Sequence, residues 1–255
     1  MIRSEVQERV AIITIDNPPV NALPVAGWFE LADTLRTMGR DPGVHVVILR
    51  AEGKGFQAGV DIKELAADPT NAALIGVNRG CSESFAAVYE CEVPVIAAVQ
   101  GFCLGGGIGL AGNADIVVAS DDATFGVPEV DRGALGTATH LARFVPQHKL
   151  RAMFFTGAMV TAAELHALGT VERVVPRDRL LDAAMDIAQQ IAAKSSLVIR
   201  RAKESLNAIE PVDVKRSYRF EQGFTFELNL FGDSDELRQA FVDKREAELP
   251  DRPDR

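Results

Sequence analysis

The sequence predicts an α/β fold with a parallel sheet at its heart and a helical C-terminal part. Three observations carry that prediction. Short β-branched or apolar runs at Val10–Ile15, 45–49, Val95–Val99 and 116–119 read as strands. Helical spacing lies between them, at 28–38 through Phe29, Leu31, Ala32 and Leu35, and at 72–88 as a crossover helix. Strands alternating with helices favour α/β organisation. From about residue 147 the pattern changes to helices.

Taken in order, Val10–Ile15 ends in Asp16-Asn17-Pro18-Pro19, a turn signal. The runs at 45–49 and Val95–Val99 carry too little alternation for a half-exposed sheet and suit one buried on both faces. Leu180, Ala184, Ile187 and Ile191 then repeat at three- and four-residue steps, and 196–206 and 235–246 continue the helical theme. Phe220, Phe224, Phe226 and Phe231 form a late aromatic group, read either as core packing or as burial against another subunit. The tail 250–255, P-D-R-P-D-R, is expected to be disordered.

The 255 residues carry a net charge of −9, with 47% apolar and 25% charged side chains. That balance suits a buried core and argues against non-specific binding to nucleic acid or an anionic membrane. Residues 1–9 hold no apolar signal-peptide region, and no run approaches the roughly 18 apolar residues of a membrane span. A cytoplasmic protein with no membrane segment is expected. Cys81, Cys91 and Cys103 lack CxxC spacing and read as reduced, mostly buried thiols. His45, His140, His148 and His166 lack ligand spacing, so no metal site is expected.

The segment 101–112, G-F-C-L-G-G-G-I-G-L-A-G, contains Gly107-x-Gly109-x-x-Gly112, a formal dinucleotide fingerprint. That fingerprint needs a full helix before an acid about 20 residues on, whereas here the next strand begins near Asp115. The glycines instead let backbone approach a ligand and open a helix with unpaired N–H groups. A second small-residue turn, 55–65, follows the strand ending near Arg50. Two such turns at two strand ends can aim two backbone donors at one point, as an oxyanion hole requires.

Together these segments resemble the crotonase (enoyl-CoA hydratase/isomerase) superfamily. Its F-x-A-G-A-D-x-K-E turn is matched by 56–64, with Val60 in place of alanine. Its N-G-x-x-x-G-G-G stretch is matched by 100–107, and its F-G-x-P-E by Phe125, Gly126, Val127, Pro128 and Glu129. The turn 17–23 resembles the family's N-x-P-x-x-N-A-L. The resemblance implies a crotonase-like ββα spiral core over 1–195. A C-terminal helical trimerisation region follows over 196–255, giving a homotrimer or a hexamer of paired trimers. It implies an acyl-CoA substrate, with coenzyme A as part of the thioester and no permanently bound cofactor. By the same resemblance the N–H groups of Val60 and Gly106 hold the thioester oxygen. Coenzyme A would lie along Val20, Asn21 and Ala22 and along Val60, Asp61, Ile62 and Lys63, with Lys63 near the nucleotide end. Glu129 is the family's general acid or base.

One departure bears on the chemistry. Typical hydratases of the family carry a second glutamate where this sequence has Gly109. Without it, ordinary alkene hydration should be impaired, since one positioned acid–base group is worth ~10²–10⁴-fold. Asp131 and His140 align near the acyl end. They read either as a water-activating pair or as a surface acid and a packed histidine. The stretches 20–22, 50–61, 101–109, 120–126, 132–140 and 218–228 resemble an actinobacterial subgroup of CoA-thioester hydrolases that open the last ring in steroid (cholesterol) degradation. The implied reaction is water attack on a ring ketone followed by carbon–carbon cleavage. Alternatives are an enoyl-CoA hydratase or isomerase of fatty-acid metabolism and a non-catalytic acyl-CoA binder. A serine hydrolase is disfavoured, since 80–84 lacks the closing glycine of GxSxG.

Overall fold

The computed structural model describes residues 1–249. The chain runs β1 (Ile2–Gln7), β2 (Val10–Ile15), α1 (Val25–Arg40), β3 (Val46–Ala51), α2 (Ile62–Ala67), α3 (Ala72–Tyr89), β4 (Val95–Val99), β5 (Phe102–Leu104), α4 (Gly106–Ala111), β6 (Ile116–Ser120) and β7 (Thr124–Gly126). A 3-10 helix, Pro128–Arg132, leads to α5 (Ala138–Leu141), α6 (Gln147–Thr156), β8 (Val160–Thr161), α7 (Ala162–Ala167), β9 (Arg173–Val175) and α8 (Leu180–Ala192). Three helices close the described chain: α9 (Ser196–Ile209), α10 (Val214–Phe231) and α11 (Asp233–Asp243).

The main sheet has the order β1-β2-β3-β4-β6-β9, with β1 antiparallel to β2 and every other pair parallel. Register follows from burial on both faces. Ala11, Ile13, Val47, Leu49, Val95 and Ala97 join the core that includes α1 and α3. Their neighbours Ile12, Val46, Ile48, Ile96 and Ala98 pack against Leu180, Ala184 and Ala188 of α8. A one-residue slip would exchange the two sets, which pins the pairing. Truncating a side chain such as Leu49, fully buried here, would cost about 2–5 kcal/mol. A smaller sheet, β5-β7-β8, stands beside the glycine-rich turn and aligns Leu104 with Gly126.

The C-terminal helices are tied back to this core. Buried Lys203 of α9 places Nζ 2.7 Å from the Asp115 carboxylate and 3.3 Å from the carbonyls of Val88 and Val93. Removing one partner of such a pair typically costs about 3–5 kcal/mol, because the other charge stays buried. From α10, Gln222 donates to the Asn78 carbonyl at 2.7 Å, and Glu221 accepts from the first amides of α5, Ala138 at 2.9 Å and Thr139 at 2.7 Å. Helix α11 packs over α2 and the 3-10 helix.

One strand carried no sequence signal, one expectation changes, and one of two open readings falls away. The charged segment Ile2–Gln7 is an edge strand whose residues are almost all exposed, so no apolar alternation marked it. Beyond residue 147 the chain is not purely helical: β8 and β9 have two and three residues, too few to show a period. Core packing does not account for the phenylalanine group, because Phe220 is 69% and Phe224 40% exposed, meeting edge to face at 5.2 Å. The expected disorder at 250–255 lies outside the described residues. All three cysteines are buried, and among the described residues no helix is long and apolar enough to cross a membrane.

Candidate active site

Two turns meet at one end of the parallel strands. In the first, buried Gln57 makes a closed pair with Gly59: its Nε2 donates to the Gly59 carbonyl and its Oε1 accepts from the Gly59 amide, both at 2.7 Å. Gly59 itself has φ +93°, a conformation that suits glycine. Leu23 donates to the Gly59 carbonyl and accepts from the Asp61 amide, each at 3.0 Å. Those bonds use the groups flanking Val60. Successive groups alternate along an extended backbone, so the Val60 N–H points away from Leu23.

In the second turn, Gly105 donates to the Gly126 carbonyl at 3.0 Å, and the first bond of α4 runs from Gly109 to the Gly105 carbonyl at 3.1 Å. The amides of Gly106, Gly107 and Ile108 precede that bond, as at any helix start. The turns touch: a methyl group built on Gly59 would lie 3.6 Å from the Gly106 nitrogen. One built on Gly106 would strike the Trp28 ring at 2.7 Å, so the approach requires glycine there.

Val60 and Gly106 line a cavity of about 340 Å³, and so does Glu129 on the 3-10 helix. The Glu129 carboxylate lies against the second turn, since a Cβ on Gly105 would meet its Oε1 at 2.6 Å. Thr137 donates to Oε1 at 3.3 Å, while Oε2 is buried with no protein partner among the described residues. Burial dominates and pushes this carboxyl up from 4.5 to about 8. The Gly109 position is closed to any side chain, because a Cβ there would sit 2.2 Å from Phe85 Cζ. Phe85 is fixed edge-on against Trp28 at 5.7 Å and tilted on Tyr218 at 5.0 Å. Phe85 and Tyr218 both face the cavity.

Asp131 and His140 are not brought together there. His140 is 1% exposed and lies behind Phe85 and Tyr218, 5.1 and 5.0 Å away, outside the cavity lining. Neither ring nitrogen has a protein partner among the described residues, and burial holds the imidazole down at about 3. Asp131 is exposed and turned toward Gly157, where a Cβ would meet its Oδ2 at 2.8 Å. The reason is geometric: Glu129 and Asp131, two apart in a 3-10 helix, project in different directions.

Of the residues expected along coenzyme A, Val20, Val60 and Ile62 reach the cavity wall. Asn21 is buried and shapes its turn, donating to the carbonyls of Glu52 at 2.7 Å and Gly55 at 2.9 Å. The Ala22 carbonyl accepts from Asn17 at 2.6 Å. Asp61 caps α2 through the Lys63 amide at 3.0 Å, and the Lys63 side chain is exposed on that first turn. Phe85, Tyr218, Arg132 and Phe241 complete the wall without having been singled out from sequence. They sit on four different helical elements, and helical spacing alone marks them as ordinary packing residues.

The family model described as enoyl-CoA hydratase/isomerase matches residues 5–252. The chain belongs to that family. It is 63% identical, over 92% of its length and 91% of the relative's, to a Rhodococcus jostii (strain RHA1) protein named (7aS)-7a-methyl-1,5-dioxo-2,3,5,6,7,7a-hexahydro-1H-indene-carboxyl-CoA hydrolase. It is 60% identical to the protein of that name from Mycobacterium tuberculosis (strain H37Rv), over 92% of this chain and 95% of that one. Among solved structures, an enoyl-CoA hydratase/isomerase from Pseudoalteromonas atlantica T6c superposes with a TM-score of 0.85 at 26% identity, covering 98% and 99% of the two chains. The crotonase-like α/β fold is thereby established. As an enzyme of this family, the chain joins two adjacent backbone donors to one buried carboxyl in one cavity.

Proposed function

We propose that this enzyme hydrolyses a carbon–carbon bond in a bicyclic keto acyl-CoA, opening a ring in steroid degradation. The observation that carries the reading is the single carboxyl in the cavity wall: Glu129 is there, and the Phe85 ring fills the space beside Gly109. Hydration by two carboxylates has no room for its second partner. An aromatic surface in its place suits a rigid, largely apolar bicycle. The relatives at 63% and 60% identity carry names describing that class of substrate.

In this mechanism Glu129 takes a proton from water as the water oxygen bonds to the ring ketone carbon. The carbon–carbon bond then breaks toward the carbon conjugated to the thioester. The electron pair becomes a thioester enolate whose oxygen accepts from the Val60 and Gly106 amides. Loss of one such donor costs ~10²–10³-fold in other enzymes. Glu129 returns its proton to the enolate carbon, so one water is added and the thioester survives. No resident cofactor takes part. Coenzyme A lies along Val20, Asn21, Ala22, Val60, Asp61 and Ile62, with Lys63 toward its nucleotide end. Asp131 and His140 act by packing and surface charge, not as a water-activating pair. The exposed aromatic face of α10, with Phe220 and Phe224, suits burial between subunits of a trimer or hexamer. The setting is cytoplasmic.

The test is a side-by-side assay on crotonyl-CoA and on the bicyclic ketone-bearing indane-carboxyl-CoA, with products read by NMR. Ring opening to a free carboxylate with little crotonyl-CoA turnover is expected. Fast crotonyl-CoA hydration would overturn the reading.

A further inference from the structure

Two guanidinium groups reach the cavity wall, Arg132 and Arg238, and they are held differently. Arg238 is already engaged, with Nη1 2.7 Å from the Asn229 amide oxygen and Nη2 paired to Asp235. Arg132 has no carboxylate partner among the described residues. Its Nη1 touches the Asp131 carbonyl at 3.3 Å, and its guanidinium carbon lies 4.0 Å over the centroid of Phe241, itself a wall residue. Arg132 and Glu129 are three apart in one 3-10 helix, where side chains at i and i+3 eclipse, and both line the same cavity.

Leu65, Ala134 and Leu135 make the surrounding wall mostly apolar. A cation beside such a wall, with no carboxylate partner among the described residues, is available to attract an anion. The aromatic ring beneath it supports the charge, and a guanidinium offers two parallel N–H groups that match a carboxylate. The hydrolysis proposed above generates that anion. Attack on the ring ketone places negative charge on its oxygen, and cleavage converts the same carbon into a carboxyl group.

We infer that Arg132 is a catalytic residue whose guanidinium binds the oxygens of the attacked ring ketone, first as the tetrahedral hydroxy-alkoxide and then as the new carboxylate. The inference rests on the hydrolytic reading. The balance is complete: water supplies the new carbon–oxygen bond, and Glu129 carries its proton to the enolate carbon. The carboxylic acid so formed releases its own proton to solvent. Two charges thus develop at opposite ends of the breaking bond, one held by the backbone amides and the other by Arg132.

The experiment compares wild type, Arg132→Gln and Arg132→Lys on the bicyclic keto acyl-CoA, with coenzyme A affinity and melting temperature measured alongside. Arg132→Gln should lower kcat for ring opening by ~10²–10³-fold. Arg132→Lys should recover part of it, since charge is kept and the fork is lost. Affinity for free coenzyme A should stay within about threefold of wild type. A second measurement needs no variant: wild type is inhibited by an acyl-CoA ending in the carboxylate of the ring-opened product and by its carboxamide. The carboxylate should bind at least ~10-fold more tightly, as a charge-assisted bidentate pair would. Equal binding of the two, or a kcat for Arg132→Gln within about threefold of wild type, overturns the inference. Coenzyme A affinity falling in step with rate also overturns it, by assigning Arg132 to the cofactor phosphates. Wild type that leaves the bicyclic ketone intact overturns the hydrolase reading itself, a result distinct from turnover by both proteins.

Discussion

Glu129 and His140 lie on opposite sides of one aromatic partition, built from Phe85 and Tyr218. His140 is buried and Glu129 is half-buried with its carboxyl enclosed, and near neutral pH that enclosure leaves both mainly uncharged by opposite proton movements. The carboxyl is pushed up to about 8 and retains its proton; the imidazole is pushed down to about 3 and gives its proton up. What separates them is access. Glu129 opens on the cavity of about 340 Å³, against the turn that carries Gly105 and Gly106. His140 lies behind the two rings and faces none of it, lining instead a separate cavity with Asn113, Val214 and Lys215. A perturbed titration therefore marks a functional group here only together with a route to substrate.

The sharpest way to break this comparison is to substitute each side in turn. Glu129→Gln keeps the shape and should lower ring opening by ~10²–10⁴-fold, with the melting temperature maintained. His140→Phe keeps a ring against Phe85 and Tyr218 and should leave kcat within about threefold. A reversed pattern would move the chemistry behind the partition. Next in size is the partition itself. Gly109→Glu must displace Phe85, and overpacking of this kind costs about 1–3 kcal/mol or more. Combining it with Phe85→Ala makes room, so the double variant should melt higher than Gly109→Glu alone. It should also gain crotonyl-CoA hydration over wild type. Hydration unchanged in a folded double variant would mean that the carboxylate count does not decide between the two reactions.

How much of this was legible in the sequence depends on what kind of contact each feature makes. The strands β2, β3, β4 and β6 were readable because burial on both faces writes a continuous apolar run into the chain. The two glycine turns were readable because close backbone approach admits no other residue, as the Trp28 contact at Gly106 illustrates. The absence of a carboxylate at Gly109 could be read too, but not what replaced it: Phe85 lies on α3, 24 positions earlier by subtraction of the numbers, and meets Gly109 only through packing. Arg132 and Phe241 belong together for the same long-range reason. His140 could be read as a candidate and not as excluded, since the side of an aromatic wall is a property of the folded chain.

The pH dependences sharpen the comparison with the smallest expected effects. Glu129 serves as a base, so kcat/KM should rise with pH and level off above about 8, reporting the free enzyme's carboxyl. Its stability effect runs the other way. The folded value exceeds the ordinary 4.5, so its contribution is full in acid and is lost as pH rises from about 4.5 through about 8. Glu129→Gln should accordingly gain stability over wild type toward pH 9. His140 has the opposite sign. Its folded value is depressed below 6.5, so its contribution is full above 6.5 and is lost as pH falls from there toward about 3. His140→Phe removes that loss and two unpartnered nitrogens together. Its melting temperature should exceed that of wild type by about 2–4 °C at pH 5, with a smaller gain at pH 8. Thermal melts at the two pH values decide it: an equal gain at both would show that packing alone, and not the proton, sets the cost of keeping a histidine behind the wall.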